Sequence, residues 1–264
     1  MADRWQRSER KPLSIMNGND GCVLLAGGAG RRMGHINKAE FKWKGSTFSE
    51  RIRREMEKTG CRCYISTAEY ALFVPEGWTL VRDPEWFLQG RRTVPDGSSF
   101  SEDGSEAVSG RGQSAFSGTD ESREHSKECR ETANDVRIGP VGGIYACLKK
   151  AEEDGLRGLF FVPCDAPLYR AELSLKLAKY IHKGTEAVCW RTKDKKIQPA
   201  FGWYSVGCIP IFEEEIQNGK YKLMKVLERF RRRIVETEDE DVEESCFLNI
   251  NSPADYERLS SLPG

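Results

Sequence analysis

Glycines and cations crowd into one stretch of the chain, Ala26-Gly-Gly-Ala-Gly-Arg-Arg-Met-Gly34, with Lys38 four residues further on. Glycines let several backbone N–H groups approach one anion and point at it together, while Arg32 and Lys38 supply the positive charge a polyphosphate requires. No Gly-Lys-Ser/Thr closes the loop as in a Walker A motif. Met33 stands where a dinucleotide fingerprint needs its third glycine. The bland alternative is a flexible strand-to-helix turn with incidental arginines. An apolar strand running directly into this combination favours a phosphate cradle.

A second candidate is Asp165, in Pro163-Cys-Asp-Ala-Pro167, where two prolines stiffen the backbone around a carboxylate. Magnesium bound with a triphosphate uses one or two carboxylates plus phosphate oxygens, which suits such a turn. Taken alone, an Asx-turn or helix cap explains Asp165 equally well; beside the glycine loop, metal binding is favoured. Asn249 and Asn251 alternate with Ile250, so a strand would turn both amides to one face, toward a ligand or a metal-bound water. Turn formation at a strand end explains them equally well in isolation. Asp83, followed by Pro84, is the weakest of the set, because Asp-Pro is an ordinary turn initiator. The three histidines, His35, His125 and His182, have no Ser or Cys nucleophile context, which argues against a histidine-based hydrolase.

The elements that must position these residues follow from hydrophobic patterning. Gly21–Ala26 and Gly158–Val162 read as buried parallel strands, and Cys61–Ser66, Trp78–Arg82, Ala187–Arg191 and Ala200–Tyr204 as further strands. Cys246–Ile250 reads as the last strand, carrying Asn249 and ending just before Asn251. Helices are expected over Phe48–Lys58, Ile144–Glu153, Glu172–His182, Pro210–Gln217 and Lys222–Phe230. A final helix opens at Ser252-Pro-Ala-Asp255, with serine at the N-cap and proline at N1. The basic stretch Arg229–Arg233 and the acidic run Glu236–Glu244 read as solvated faces. Strands alternating with helices predict an α/β fold, a single Rossmann-like three-layer domain with a mostly parallel sheet. Such sheets place ligands at the carboxyl ends of their strands, where Ala26–Lys38, Asp83, Pro163–Pro167 and Asn249–Asn251 all fall.

The chain has 264 residues, 38% hydrophobic and 31% charged, with 41 basic and 41 acidic side chains. That balance argues against a dedicated nucleic-acid binder, which needs a basic excess. Nine cysteines without Cys-x-x-Cys argue against a disulfide framework, and Cys61 and Cys63 read as small core residues rather than a metal pair. Residues 1–20 are polar and mixed in charge, expected to form a flexible leader and not a signal peptide. No stretch is apolar enough to span a bilayer, so no membrane association and a cytoplasmic location are expected. Residues 21–264 are expected to form the domain. Between Asp96 and Asn134 lie nine serines, five glycines and one valine, with no leucine or isoleucine, the composition of a disordered insertion.

Taken together, Leu25-Ala-Gly-Gly-Ala-Gly-Arg-Arg-Met-Gly-His-Ile-Asn-Lys38, Gly139-Pro-Val-Gly-Gly143, Pro163-Cys-Asp165, Gln198-Pro199 and Asn249-Ile-Asn251-Ser-Pro253 resemble the molybdenum cofactor guanylyltransferases of the nucleotidyltransferase superfamily. The resemblance runs from about Gly21 to the C-terminus, apart from the serine-rich insertion. It implies transfer of GMP from GTP to molybdopterin or its molybdenum form, with Mg²⁺ as cofactor and pyrophosphate as product. Related readings are a transferase using CTP or a phosphosugar acceptor, and a non-catalytic nucleotide-binding adaptor. By motif matching, Leu25, Ala26, Gly27, Gly28, Gly30, Arg32 and Lys38 would hold the nucleotide, and Arg32, Lys38 and Asp165 would be catalytic. Asp165 would hold the metal, Asp83 would contact the nucleotide, and Gln198, Asn249 and Asn251 would face the molybdopterin. The protein partners implied are molybdenum-insertion proteins or acceptor molybdoenzymes. Asn37 stands where the family usually has Asp, and Ser46-Thr47 replaces a common Lys-Pro.

Overall fold

The computed structural model describes residues 18–26, 38–67, 74–82 and 139–262. Strand β1 (Asp20–Leu25) is followed by a 3₁₀ turn at Lys38–Glu40 and a small antiparallel hairpin, β2 (Lys42–Trp43) and β3 (Ser46–Thr47). Helix α1 (Phe48–Glu57) starts at Thr47, whose hydroxyl accepts from the Glu50 amide while the Glu50 carboxylate takes the Thr47 amide. That reciprocal box is the expected signature of a Thr-x-x-Glu helix start. Strands β4 (Arg62–Thr67) and β5 (Thr79–Arg82) precede helix α2 (Pro140–Glu153) and strand β6 (Gly158–Pro163). Then come α3 (Ala171–Ala178), β7 (Ala187–Arg191), β8 (Ile197–Ser205), α4 (Ile209–Gln217), α5 (Leu223–Leu227), β9 (Arg232–Glu236) and α6 (Pro253–Ser260).

Among the described residues the main sheet has seven strands in the order β5-β4-β1-β6-β8-β7-β9. β5, β4, β1 and β6 run parallel, β8 is antiparallel to both neighbours, and β9 is parallel to β7. The expected three-layer α/β architecture is therefore present, with β8 as the reversed strand. Period-two alternation sorts the side chains: Val23, Leu159 and Phe161 pack under α2, α4 and α5, while Cys22, Leu24, Phe160 and Val162 pack under α1 and α3. With helices on both faces, the central strands are buried along nearly their whole length. Among the described residues no helix is long and apolar enough to cross a membrane.

Several element ends shift by a few residues, and three differences from the sequence reading change which residues are buried or paired. First, β1 begins at Asp20, and that residue is buried rather than part of a polar leader. Its carboxylate takes three bonds from Arg157, at 2.9, 3.1 and 2.7 Å, and one from the Trp203 indole at 3.0 Å. Trp203 reaches it by lying against Gly158, where any Cβ would come within 2.4 Å of the indole. Second, Cys246–Ile250 is not a strand. Residues Glu244–Phe247 form a 3₁₀ turn that drives Phe247 against Phe201 and Trp190, with ring centroids 5.2 and 6.2 Å apart. The apolar run plugs the core end-on instead of joining the ladder. Third, the last strand is β9, drawn from the two charged runs that read as solvated. It tolerates its exposed arginines because it lies at the sheet edge, where only Val235 turns fully inward. The expected insertion at 96–134 falls outside the described residues.

Candidate active site

At the carboxyl ends of β1 and β6 the backbone is tied off by local hydrogen bonds. The Ala26 amide donates to Ser66 O at 2.7 Å, and the Cys164 amide donates to Leu25 O at 3.0 Å. Asp165 follows β6 immediately after this closure. Its carbonyl accepts the Ile250 amide at 2.8 Å, which fastens the C-terminal segment to the strand end. Asn249 and Asn251 flank that anchor, so they arrive here by one backbone bond rather than by a sheet ladder.

Lys38 enters from the other side, on the 3₁₀ turn whose next residue, Ala39, is fully buried. Its ammonium lies 3.2 Å from Asp165 Oδ2 and donates also to Asn251 Oδ1. The Lys38 and Asp165 side chains are 14% and 19% exposed. Three residues 127 and 213 positions apart in the chain therefore meet in one partly desolvated cluster. Partial burial strengthens their Coulomb interaction over that of a surface pair, yet each group still has solvent on one side. An ammonium is a compact charge with three rotatable donors, so it can trade a carboxylate for a phosphate by a small rotation. A cation, an anion and a neutral amide set together suit a ligand that carries phosphates and its own counter-ion.

Asn249 adds an acceptor of a different kind. Its Oδ1 is buried with no hydrogen-bond partner among the described residues. A buried unmade acceptor costs on the order of 1–3 kcal/mol, a cost that a ligand donor would remove. Gln198 stands apart. Its amide nitrogen donates to Thr192 Oγ1 at 3.3 Å within the β7–β8 hairpin, not to the Lys38 cluster. Gly27, Gly28, Gly30, Arg32 and Asp83 lie outside the described residues.

One residue that the sequence reading placed only in a helix start belongs beside this cluster. Asp255, in the first turn of α6, accepts the Asn251 amide at 3.0 Å and the Ser252 hydroxyl at 2.8 Å through the same oxygen. These bonds, Ser252 first, hold its carboxyl below the usual range. The signal was present as Ser-x-x-Asp ahead of the helix, a cap followed three residues on by an acid.

The MobA-like NTP transferase domain family matches residues 22–92 and 113–236 of this chain. A probable molybdenum cofactor guanylyltransferase of Bacillus subtilis is 26% identical over 238 residues, covering 90% of this chain and 92% of that protein. A second, from Geobacillus, is 29% identical over 121 residues, 46% of this chain and 60% of that protein. Among solved structures, molybdopterin-guanine dinucleotide biosynthesis protein A from Archaeoglobus fulgidus shares the fold, with a TM-score of 0.58 at 17% identity, covering 91% of this chain and 96% of that one. The seven-stranded sheet and the two matched segments lead to one conclusion: this chain belongs to the MobA-like NTP transferase family.

Proposed function

We propose that this chain is a molybdenum cofactor guanylyltransferase, moving GMP from GTP to molybdopterin or its molybdenum form and releasing pyrophosphate. The observation that carries the reading is the meeting of Lys38, Asp165 and Asn251 at the carboxyl ends of β1 and β6. Support also comes from the Bacillus subtilis relative, which bears the name of a probable molybdenum cofactor guanylyltransferase and is matched over 92% of its length.

The acceptor phosphate is anionic at neutral pH, so it needs no general base. One of its oxygens forms a bond to the α-phosphorus of GTP as the bond to the β-phosphate oxygen breaks, and pyrophosphate leaves with that electron pair. What the protein supplies is alignment and charge. Gly27, Gly28, Gly30 and Arg32 cradle the triphosphate, and Lys38 turns from Asp165 to the phosphates, where leaving-group charge builds. Leu25, Ala26 and Asp83 complete the nucleotide contacts.

Among the described residues no three His, Cys, Asp or Glu side chains converge as a standing metal cage. One carboxylate with an amide oxygen nearby is the donor set for magnesium that arrives with phosphate oxygens, so Asp165 would hold it. When bound, the ion neutralises charge on the phosphates. Asn249 and Asn251 then face the molybdopterin, with Gln198 at the margin of the same side.

The test is pyrophosphate release by the purified chain with Mg²⁺, molybdopterin and each of GTP, CTP, ATP and UTP. GTP should be used and should raise the melting temperature most. Turnover with CTP alone would overturn the choice of base, and no turnover with any of the four would overturn the enzyme reading.

A further inference from the structure

We infer that Asp255 is a positioning residue for the nucleotide site, holding Asn251 so that Asn251 can hold Lys38. The inference rests on the function proposed above and extends it to a helix that the family match, ending at residue 236, does not include.

The geometry departs from an ordinary helix cap in one respect. In a capping box the acid three residues into the helix takes the amide of the cap residue itself. Here the cap is Ser252, whose hydroxyl accepts the Asp255 amide at 3.3 Å. The Asp255 carboxylate reaches one residue further back and takes the Asn251 amide. The backbone that carries the Asn251 side chain is thereby fixed from α6, while Ile250 beside it is fixed from Asp165.

The other half of the clamp is held by the same helix and the residues just after it. Tyr256, next to Asp255, donates to Lys42 O at 2.7 Å, and Lys44 donates to Leu262 O at 2.9 Å. Trp43, Phe48, Ile250 and Leu259 form a buried cluster beneath these bonds. The Phe41 amide returns to Lys38 O at 3.2 Å. A ring of contacts therefore runs from Lys38 through the 41–43 segment to Tyr256, then through Asp255 and Asn251 back to the Lys38 ammonium. Loosening Asp255 opens that ring one bond away from the Lys38 ammonium, and small displacements of a positioned charge have large effects on rate.

Four variants test this: Asp255→Ala, Asp255→Asn, Ser252→Ala and Asn251→Ala, with the Asp255→Ala/Asn251→Ala pair to close the cycle. Pyrophosphate release gives kcat and KM for GTP. Acetylation of Lys38 by acetic anhydride, followed by mass spectrometry without any substrate, reads whether the ammonium is still held. Asp255→Ala should lower kcat about tenfold or more with KM within about twofold, and Lys38 should acetylate several times faster. Asp255→Asn keeps an acceptor oxygen and should restore both readouts to near the parent values. Ser252→Ala removes the cap hydroxyl alone and should lower Tm by about 2–4 °C with kcat intact. In the Asn251→Ala background, Asp255→Ala should cost little more. Should Asp255→Ala not fold, Asp255→Glu keeps a carboxylate in the first turn but moves it off the Asn251 amide, and it should show the same kcat loss. Unchanged kcat and unchanged Lys38 labelling in the replaced protein would reduce Asp255 to a helix cap. A full additional tenfold loss without Asn251 would break the link through it. Faster Lys38 labelling in a protein that turns over no nucleotide would uphold the positioning role while overturning the proposed function.

Discussion

Strands β1 and β6 end, in each direction, on a carboxylate paired with a cation, and the two pairs are built oppositely. At the amino end Asp20, 3% exposed, is gripped by both arms of Arg157 and by Trp203, so its acceptors are used in fixed geometry. At the carboxyl end, among the described residues, Asp165 meets the Lys38 ammonium and Asn249 leaves a buried acceptor unmade. A guanidinium fork gives a planar, bidentate and stiff pair, whereas a lysine gives one point charge that rotates away. The first arrangement suits a seam, the second an exchange. What separates the two ion pairs, among the described residues, is how many of their lone pairs and protons are already spent.

Asp165→Asn should have the largest effect. An amide holds magnesium poorly, so pyrophosphate release should fall by about a thousandfold while the fold is retained. Near-parent turnover would remove Asp165 from the metal site and make the two ends equivalent. Lys38→Ala should lower kcat by roughly a hundredfold, the size seen when one electrostatic contact to the transition state is lost. Affinity for GTP should weaken less, because backbone amides of the glycine loop remain. Unchanged rate and binding in that variant would mean that the Ala26–Lys38 stretch is not a phosphate cradle.

At the opposite end the expected phenotype inverts. Asp20→Ala leaves the buried Trp203 indole without its acceptor, while Arg157, whose side chain is 47% exposed, keeps much of its hydration. The cost should be about 2 kcal/mol, a drop of roughly 4–8 °C in Tm, with kcat within about twofold of the parent below the transition. A rate loss without a stability loss would erase the distinction between the ends.

The two ends also differed in how far they could be read from sequence. Asp165 and Lys38 announced themselves locally, one between prolines after an apolar strand and the other just past a run of glycines. Asp20 did not. Its partners lie 137 and 183 residues away, and the residues before it are polar, so nothing nearby marks it as buried. The same limit explains β9 and Cys246–Ile250. Charged Arg232–Glu236 joins the sheet because an edge position forgives its arginines, and the apolar run that looked like a strand is a plug whose neighbours, Phe201 and Trp190, are distant in sequence. Asn251 meets Lys38 through the Ile250 backbone bond to Asp165 and a grip from Asp255, neither of which strand alternation encodes.

The smallest expected effect concerns the chemistry of the sealed end. Cys22 lies two residues after Asp20, pairs in register with Cys63, and touches the Thr59 hydroxyl at 3.6 Å. Cys61 stands just before β4, half-buried at the same end of the sheet. Its thiol is held below the usual range, first by a hydrogen bond from Cys22, while the same bond and burial push Cys22 well up. Burial pushes Cys63 and Cys189 up to about 12. Alkylation proceeds through the thiolate, and a lowered pKa means that the thiolate persists to lower pH. At neutral pH iodoacetamide should therefore modify Cys61 at least about tenfold faster than Cys22, Cys63 or Cys189, as peptide mass spectrometry would read. Because Cys61 sits at the amino ends of the strands, the alkylated protein should keep its rate of pyrophosphate release. Equal labelling of Cys22 and Cys63 would show that the end closed by Asp20 and Arg157 opens on the timescale of the reaction. Loss of turnover on labelling Cys61 alone would show that the two ends of β1 are mechanically coupled, and the contrast between seam and exchange site would then describe one device rather than two.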